Sequence, residues 1–509
     1  MQTTAMNYPW IPDAGDGTFR NPVLHADYSD PDVIRHGNDF WLVSSSFNCT
    51  PGLPILHSRD LVNWELVNHA VKQVPHPRYA EVQLGCGIWA PSIRFHDGLF
   101  WIFFPMPDEG IYVTTAEHPA GKWSEPWLLQ EAKGWIDPCP FWDDDGKAYL
   151  FHAFANSRAG KRDRLHVRPM SPDGRKLLGE GQEIVYAPQH PYLEGPKVHK
   201  IDDWYYVLAP GGGVPTGWQV VFRSKSIFGP YEEKIVLERG STAINGPHQG
   251  ALVDLANGEW WFLHFQDAGP FGRIVHLQPV KWQDGWPLMG VDHDGNGVGE
   301  PVATWPKPGV NEGSPVRIPA TSDAFNDGKL GLQWQWHGNH HDDWADLNAR
   351  SGWLRLASLP RLDGNISLAP HFLGQKYPAP TFVAETVLDF TGGHMGEVAG
   401  LAVVGGKDNV ALALRKTRDG DEFILLENGV LTPVGPASTS PVRLKVRVAP
   451  DGSFVFYMAT MTGAFAALPT TYRASEGAWV GAKVGLVALA ASEARGGHAD
   501  FGYFNFSQP

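Results

Sequence analysis

Along the first 300 residues, short apolar and aromatic runs alternate with polar turns, and the alternation comes in repeats. DPDVIRHGNDFWLVSSSF begins at Asp30, APSIRFHDGLFWIFF at Ala90, DPCPFWDDDGKAYLFHAF at Asp137, EGPKVHKIDDWYYVLAP at Glu194 and HQGALVDLANGEWWFLHF at His248. Each copy reads as an anchor, an apolar strand, a polar turn and a second strand opening with aromatics. The turns hold Gly37-Asn38-Asp39, Asp97-Gly98, Asp145-Gly146, Asp202-Asp203 and Asn257-Gly258. Asp-Gly and Asn-Gly favour tight hairpins because those turns need positive φ. HSRDLVNWELV (57–67), TTAEHPAGKWSEPW (114–127) and RSKSIFGPYEEKIVL (223–237) add a third strand, a turn and a fourth strand. The anchors lie roughly 50–60 residues apart, near the period of a four-stranded propeller blade. Five copies predict a five-bladed β-propeller over about residues 20–300.

Past residue 300 the repeat stops. EPVATWPKPGVNEGSPVRIPATSD (300–323) is rich in Pro and Gly and reads as a connection. Longer alternating segments follow, among them TFVAETVLDF (381–390), EVAGLAVVGG (397–406), PVRLKVRVAP (441–450) and SFVFYMAT (453–460). They predict a C-terminal jelly-roll β-sandwich. The expected division is a propeller over 1–305, a linker over 306–323 and a sandwich over 324–509. The fold class is therefore all-β.

Composition narrows the function. Lys and Arg number 41 against 55 Asp and Glu, for a net charge of −14. With no basic run, nucleic acid and anionic membrane are not expected partners. No apolar stretch approaches the roughly 20 residues of a membrane span. The start, MQTTAMNYPWIPDAGDG, lacks the basic and apolar regions of a signal peptide. This suits a cytoplasmic protein as written, or the trimmed form of a periplasmic or secreted one. The three cysteines, Cys49, Cys86 and Cys139, make neither a disulfide framework nor a zinc motif and read as buried thiols.

The anchors carry the chemistry. A propeller brings the first strand of every blade to one axis, so Asp30, Asp137 and Glu194 are expected to meet near it. One Asp-Pro is an ordinary turn start. Three acids in register are harder to explain structurally, since clustered carboxylates repel and burial strips their solvation. Two or three acids in one funnel suit glycoside hydrolysis, where one carboxyl protonates the leaving oxygen and another activates water or attacks carbon.

The motifs SDPDVI, GIWAPSI, WIDPCPFWDDDGKAYL, YLEGPKVHK, GPHQGALV and GRIVHLQPVKWQDGWP, in this order over residues 20–290, resemble glycoside hydrolase family 43. The second half is similar to the C-terminal domain of the family's two-domain β-xylosidases. The resemblance implies an inverting mechanism with Asp30 as general base, Glu194 as general acid and Asp137 tuning the acid. It also implies that Trp89 packs at the sugar ring, Phe47 forms an apolar wall, and Arg273 binds a sugar hydroxyl or neighbours the acids. His248 would lie below the acids, holding calcium or a water, or would be a core histidine. No cofactor is required by this reading, and a structural calcium is the one ion it leaves open. DHDGNGVGE (292–300) matches only the first half of a calcium loop and reads as a solvated turn. QWQWHGNHH (333–341) either faces the funnel or packs Trp334 and Trp336 into a core.

The implied activity is an exo-acting pentosidase on xylo- or arabino-oligosaccharides, first a β-D-xylosidase. An α-L-arabinofuranosidase, or an enzyme with both activities, stands close, because YSDPDV departs from the NPDPS form associated with β-xylosidases. A non-catalytic carbohydrate-binding protein would not need three converging acids, and an endo-arabinanase would need an open groove.

Overall fold

The computed structural model describes residues 8–310, 313–406, 408–437 and 440–509. The expected linker therefore lies partly outside the described residues, as does the start of the N-terminal segment. Five four-stranded antiparallel sheets come first, each pairing its strands in chain order. They run from Asp32–His36 to Trp64–Val71, Ser92–His96 to Trp127–Glu131, Trp135–Trp142 to Gln182–Tyr186, Lys197–Ile201 to Glu232–Leu237, and His248–Asp254 to Trp286–Met289. The first strands of blades 5, 1, 2, 3 and 4 pack on one another in that order, and Trp204–Gly211 of blade 4 closes the ring onto His248–Asp254 of blade 5, so they surround a common axis. The hairpin chemistry is visible at Asp97 (φ 48°) and Gly98 (φ 76°), which join Ser92–His96 to Leu99–Met106. Both residues need the left-handed region that Gly and Asp tolerate best. Blade 3 carries an addition the repeat did not predict, a short helix at Asn156–Ala159 between its second and third strands.

The ring closes through packing and a clasp. Val33, Phe40, Leu42 and Trp64 of blade 1 share one buried cluster with Val253, Leu263 and Leu277 of blade 5. Outside the blades, Thr18–Arg20 pairs with Thr304–Pro306. The Asn21 amide donates to the carbonyls of Leu277 and Val302, each at 2.8 Å.

The second half forms two eight-stranded sheets. Phe382–Asp389, Val442–Val448, Ser453–Thr460 and His498–Ser507 lie in one sheet. Val398–Val404, Asn409–Thr417, Gly420–Glu427 and Lys483–Ala490 lie in the other. Val442–Val448 reads VRLKVRV, and its Val and Leu positions are the buried ones, as a strand with one face on a core requires. Phe271 and Ile274 of blade 5 belong to the same apolar cluster as this core, so the two halves share buried surface. Trp334 and Trp336 are buried in it rather than in the funnel. Trp336 also exchanges backbone hydrogen bonds with Thr50 of blade 1, at 2.7 and 3.0 Å. Among the described residues no helix is long and apolar enough to cross a membrane.

Candidate active site

A cavity of about 550 Å³ opens at one end of the propeller axis, and Asp30, Asp137 and Glu194 all line it. The backbone explains how they reach it. Asp30 and Asp137 have φ of 54° and 56°, outside strand geometry. Such left-handed residues cost on the order of 1–3 kcal/mol each and collect at functional sites. At Asp137 the ladder slips between Ile136 and Cys139, so the carboxyl escapes the alternation of its strand. Ala90, the anchor of blade 2, lines the cavity without an acid. Blade 5 differs. Its ladder slips between His248 and Gly250, Gln249 takes φ 31°, and Gln249 rather than His248 faces the cavity.

Each acid has a distinct surrounding. Asp30 is 5% exposed, and its oxygens accept from the hydroxyls of Ser29 (2.8 Å) and Ser45 (2.5 Å) and from the Arg273 guanidinium (3.1 Å). Asp137 is 1% exposed and accepts from the Gly195 amide at 2.7 Å. Burial first, then the nearby Glu194 and Asp30 charges, hold its carboxyl well above the usual carboxylate range. Glu194 is the most open of the three, with its side chain 26% exposed. His248 Nε2 lies 2.9 Å from Glu194 Oε1, and the Gln249 amide reaches the same oxygen at 3.5 Å.

This changes the expectation for His248. It is fully buried, and its Nε2 is engaged by Glu194. Calcium prefers six to eight oxygen ligands. Among the described residues no group of three His, Cys, Asp or Glu side chains could hold a metal ion. His248 is placed to orient Glu194, and its other ring nitrogen, Nδ1, is buried without a protein partner. The loop at 292–300 is likewise satisfied by its own backbone, with Asp292 accepting from Gly295 (2.7 Å) and Gly297 (2.9 Å).

Phe47, Trp89 and Arg273 also line the cavity. The Phe47 and Trp89 rings are 6.4 Å apart, and Arg158 lies 5.2 Å over the Trp89 ring. The buried Nε1 of Trp89 has no protein partner. Sequence reasoning missed Trp479, Gln249, Tyr192 and Arg162, which also line the cavity. Trp479 belongs to the sandwich and sits 6.1 Å from the Trp89 ring, with the Arg273 guanidinium 5.6 Å from its own. Its loop is tied down where Gly481 donates to Asp27 at 2.9 Å and Ala482 to Pro270 at 2.8 Å.

Two or three residues further along the innermost strands, the axis is filled. Lys197, 2% exposed, donates to the Pro91 carbonyl and the Ser92 hydroxyl, both at 2.7 Å, and stands 3.8 Å from Asp32. Asp32 pairs with Arg94 at 2.7 Å. This plug separates the acids from a second cavity at the far end, lined by Arg35, His96, Trp142 and Asp254.

Paired carboxylates in a walled cavity at a propeller axis, one oriented by Arg273 and another by His248, define a glycoside hydrolase. Residues 19–287 match the model of glycosyl hydrolases family 43, and residues 322–507 match that of the beta xylosidase C-terminal concanavalin A-like domain. The chain belongs to family 43. It is 47% identical over 365 residues to a protein of Xylanibacter ruminicola named provisionally as a β-xylosidase, a match spanning 72% of this chain and 67% of that one. It is 29% identical over 527 residues to a non-reducing end α-L-arabinofuranosidase of Bacteroides ovatus, spanning 96% and 94%. The crystal structure of xylan β-1,4-xylosidase from Bacillus halodurans superposes with a TM-score of 0.85 at 25% identity, covering 96% of this chain and all of that one.

Proposed function

We propose that this protein is an exo-acting, inverting glycoside hydrolase that releases terminal β-D-xylose from xylo-oligosaccharides. The observation that supports this reading is the convergence of Asp30, Asp137 and Glu194 on one cavity walled by Trp479. Asp30 acts as general base. Arg273 and two serine hydroxyls supply the donors an ionised carboxylate needs, and they fix its direction. Glu194, held by His248 and open to the cavity, delivers a proton to the leaving oxygen. Asp137 is buried beside it, and the two acids repel. Burial and then the Glu194 charge hold the Asp137 carboxyl well above the usual range. The sugar lies among Phe47, Trp89 and Trp479, where the unpartnered Trp89 Nε1 offers a hydrogen bond to a hydroxyl.

Water activated by Asp30 attacks from the face opposite the departing oxygen, so the anomeric configuration inverts in one step. Proton NMR over the first minutes of β-xyloside hydrolysis should show α-xylose before mutarotation. Early β-xylose would mean a retaining enzyme, with carboxyls only about 5–5.5 Å apart. The Bacteroides ovatus relative favours a second reading, α-L-arabinofuranosidase. Parallel assays on aryl β-D-xyloside and aryl α-L-arabinofuranoside decide between them, and the xyloside should be cleaved faster.

A further inference from the structure

At the seam between the two halves, one contact is unlike the others. Lys483 of the sandwich places its Nζ 2.6 Å from the Cys49 Sγ of blade 1, across 434 residues of chain. Both residues are 4% exposed, and neither lines the cavity. An N–H···O hydrogen bond has its mode at about 2.9–3.0 Å. Sulfur is larger than oxygen, so a hydrogen bond between amine and thiol should be longer still. A direct nitrogen–sulfur bond would be much shorter. One light atom set between them would span this separation.

We propose that Cys49 and Lys483 form a covalent sulfur–oxygen–nitrogen bridge under oxidising conditions, a modification that fastens sandwich to propeller behind the Phe47 wall. The oxidant is a peroxide. The thiol reduces one peroxide, becoming a sulfenic acid and releasing water. The uncharged amine reduces a second, becoming a hydroxylamine and releasing water. The hydroxylamine oxygen then attacks the sulfenic sulfur and displaces a third water, leaving S–O–N. Thiol, amine and two peroxides thus give one bridge and three waters, and two thiol equivalents of a reductant reverse the oxidation at sulfur.

The surroundings favour the reaction. Lys376 stands close enough for its charge to act on both partners, and burial first holds it below the ordinary lysine range. Two amines and one thiol therefore share one buried region at the seam. The bridge would also join a segment already held to the sandwich. The Asn48 amide donates to the His337 carbonyl at 2.5 Å, and Thr50 pairs with Trp336. Phe47, two residues before Cys49, holds a left-handed φ of 52° and lines the cavity. Closing so long a loop by a cross-link removes much freedom from the unfolded chain.

The test uses the full chain treated with hydrogen peroxide, denatured, alkylated and digested without reductant. Peptide mapping by mass spectrometry should find the Cys49 and Lys483 peptides joined, with one oxygen gained and two hydrogens lost. Dithiothreitol should separate them. Cys49→Ser and Lys483→Arg should each abolish the joined species, whereas Lys376→Arg should keep it. The oxidised protein should unfold at a higher temperature than the reduced one, and dithiothreitol should cancel the difference. Cys49 recovered alkylated, or oxidised on its own beside an unmodified Lys483 peptide, overturns the proposal. So does a joined species lacking the extra oxygen, which would be a sulfenamide. The wild-type map decides even if the variants fail to fold.

Discussion

The propeller and the sandwich are both built from antiparallel strands, yet they bury different things. The sandwich core is built of Leu, Val and Phe, in alternation at Val442–Val448 and without it at Val398–Val404, and the charged groups it buries lie outside that apolar cluster. The propeller axis buries Asp30, Asp32, Asp137, Lys197, His248 and Arg273, each 8% exposed or less. Buried charges are tolerated only when paired, and here Asp30 has Arg273 while Asp32 has Arg94. Among the described residues Asp137 makes no ion pair: it accepts from the Gly195 amide, and the Lys197 charge acts on it only from farther off. The chemistry is therefore concentrated where the fold is least comfortable, and the sandwich contributes shape through Trp479.

Separating the halves is the most drastic way to test that division. Residues 1–310 alone would expose Phe271, Ile274 and the Thr50 edge, and should show no measurable hydrolysis in soluble fractions. Active soluble fragment would make the sandwich dispensable. Next in size, Asp30→Ala should lower kcat/KM roughly 10³- to 10⁴-fold on aryl glycoside and disaccharide alike. Glu194→Gln should cost about 10²- to 10⁴-fold on xylobiose and far less on an aryl glycoside with a good leaving group. Equal losses on both substrates would deny Glu194 the acid role. Trp479→Ala should act mainly on KM, by about 3- to 10-fold, with the unfolding temperature unchanged because the ring is 47% exposed.

The smallest effect runs the other way. Asp137 titrates higher in the fold than its ordinary value of 3.8, so folding favours its protonated form. Its contribution is fully present below pH 3.8 and is lost as pH rises through the folded value. Asp137→Asn, neutral at every pH, should therefore unfold about 1–3 °C higher than wild type at pH 7. The gain should vanish toward pH 3.8, and activity should fall. A gain that persists in acid would locate the effect elsewhere than in this carboxyl.

Much of this site was legible because repetition locates equivalents. Asp-Pro and Glu-Gly-Pro at the head of equivalent strands put three acids on one axis without any knowledge of coordinates. What spacing could not show was the slip in blade 5, where Gln249 displaces His248 from the cavity and sends it to Glu194. A one-residue bulge leaves no mark in the hydrophobic pattern. Nor did GAWVG distinguish Trp479 from other tryptophans, because its position depends on how Asp27 and Pro270 of the propeller hold that loop. Tyr192 was within the quoted YLEGP motif, but its ring is set by its own positive φ of 61°.

The plug of Lys197, Asp32 and Arg94 also governs traffic. With the axis filled at this depth, a sugar released in the cavity must leave by the mouth through which the substrate entered. The shortened oligosaccharide occupies that mouth and has to withdraw first. On the proposed exo-acting reading each cut is a separate encounter, so digestion is expected to be distributive, with every intermediate length accumulating in turn and the released sugar competing with incoming chain ends for the same seat.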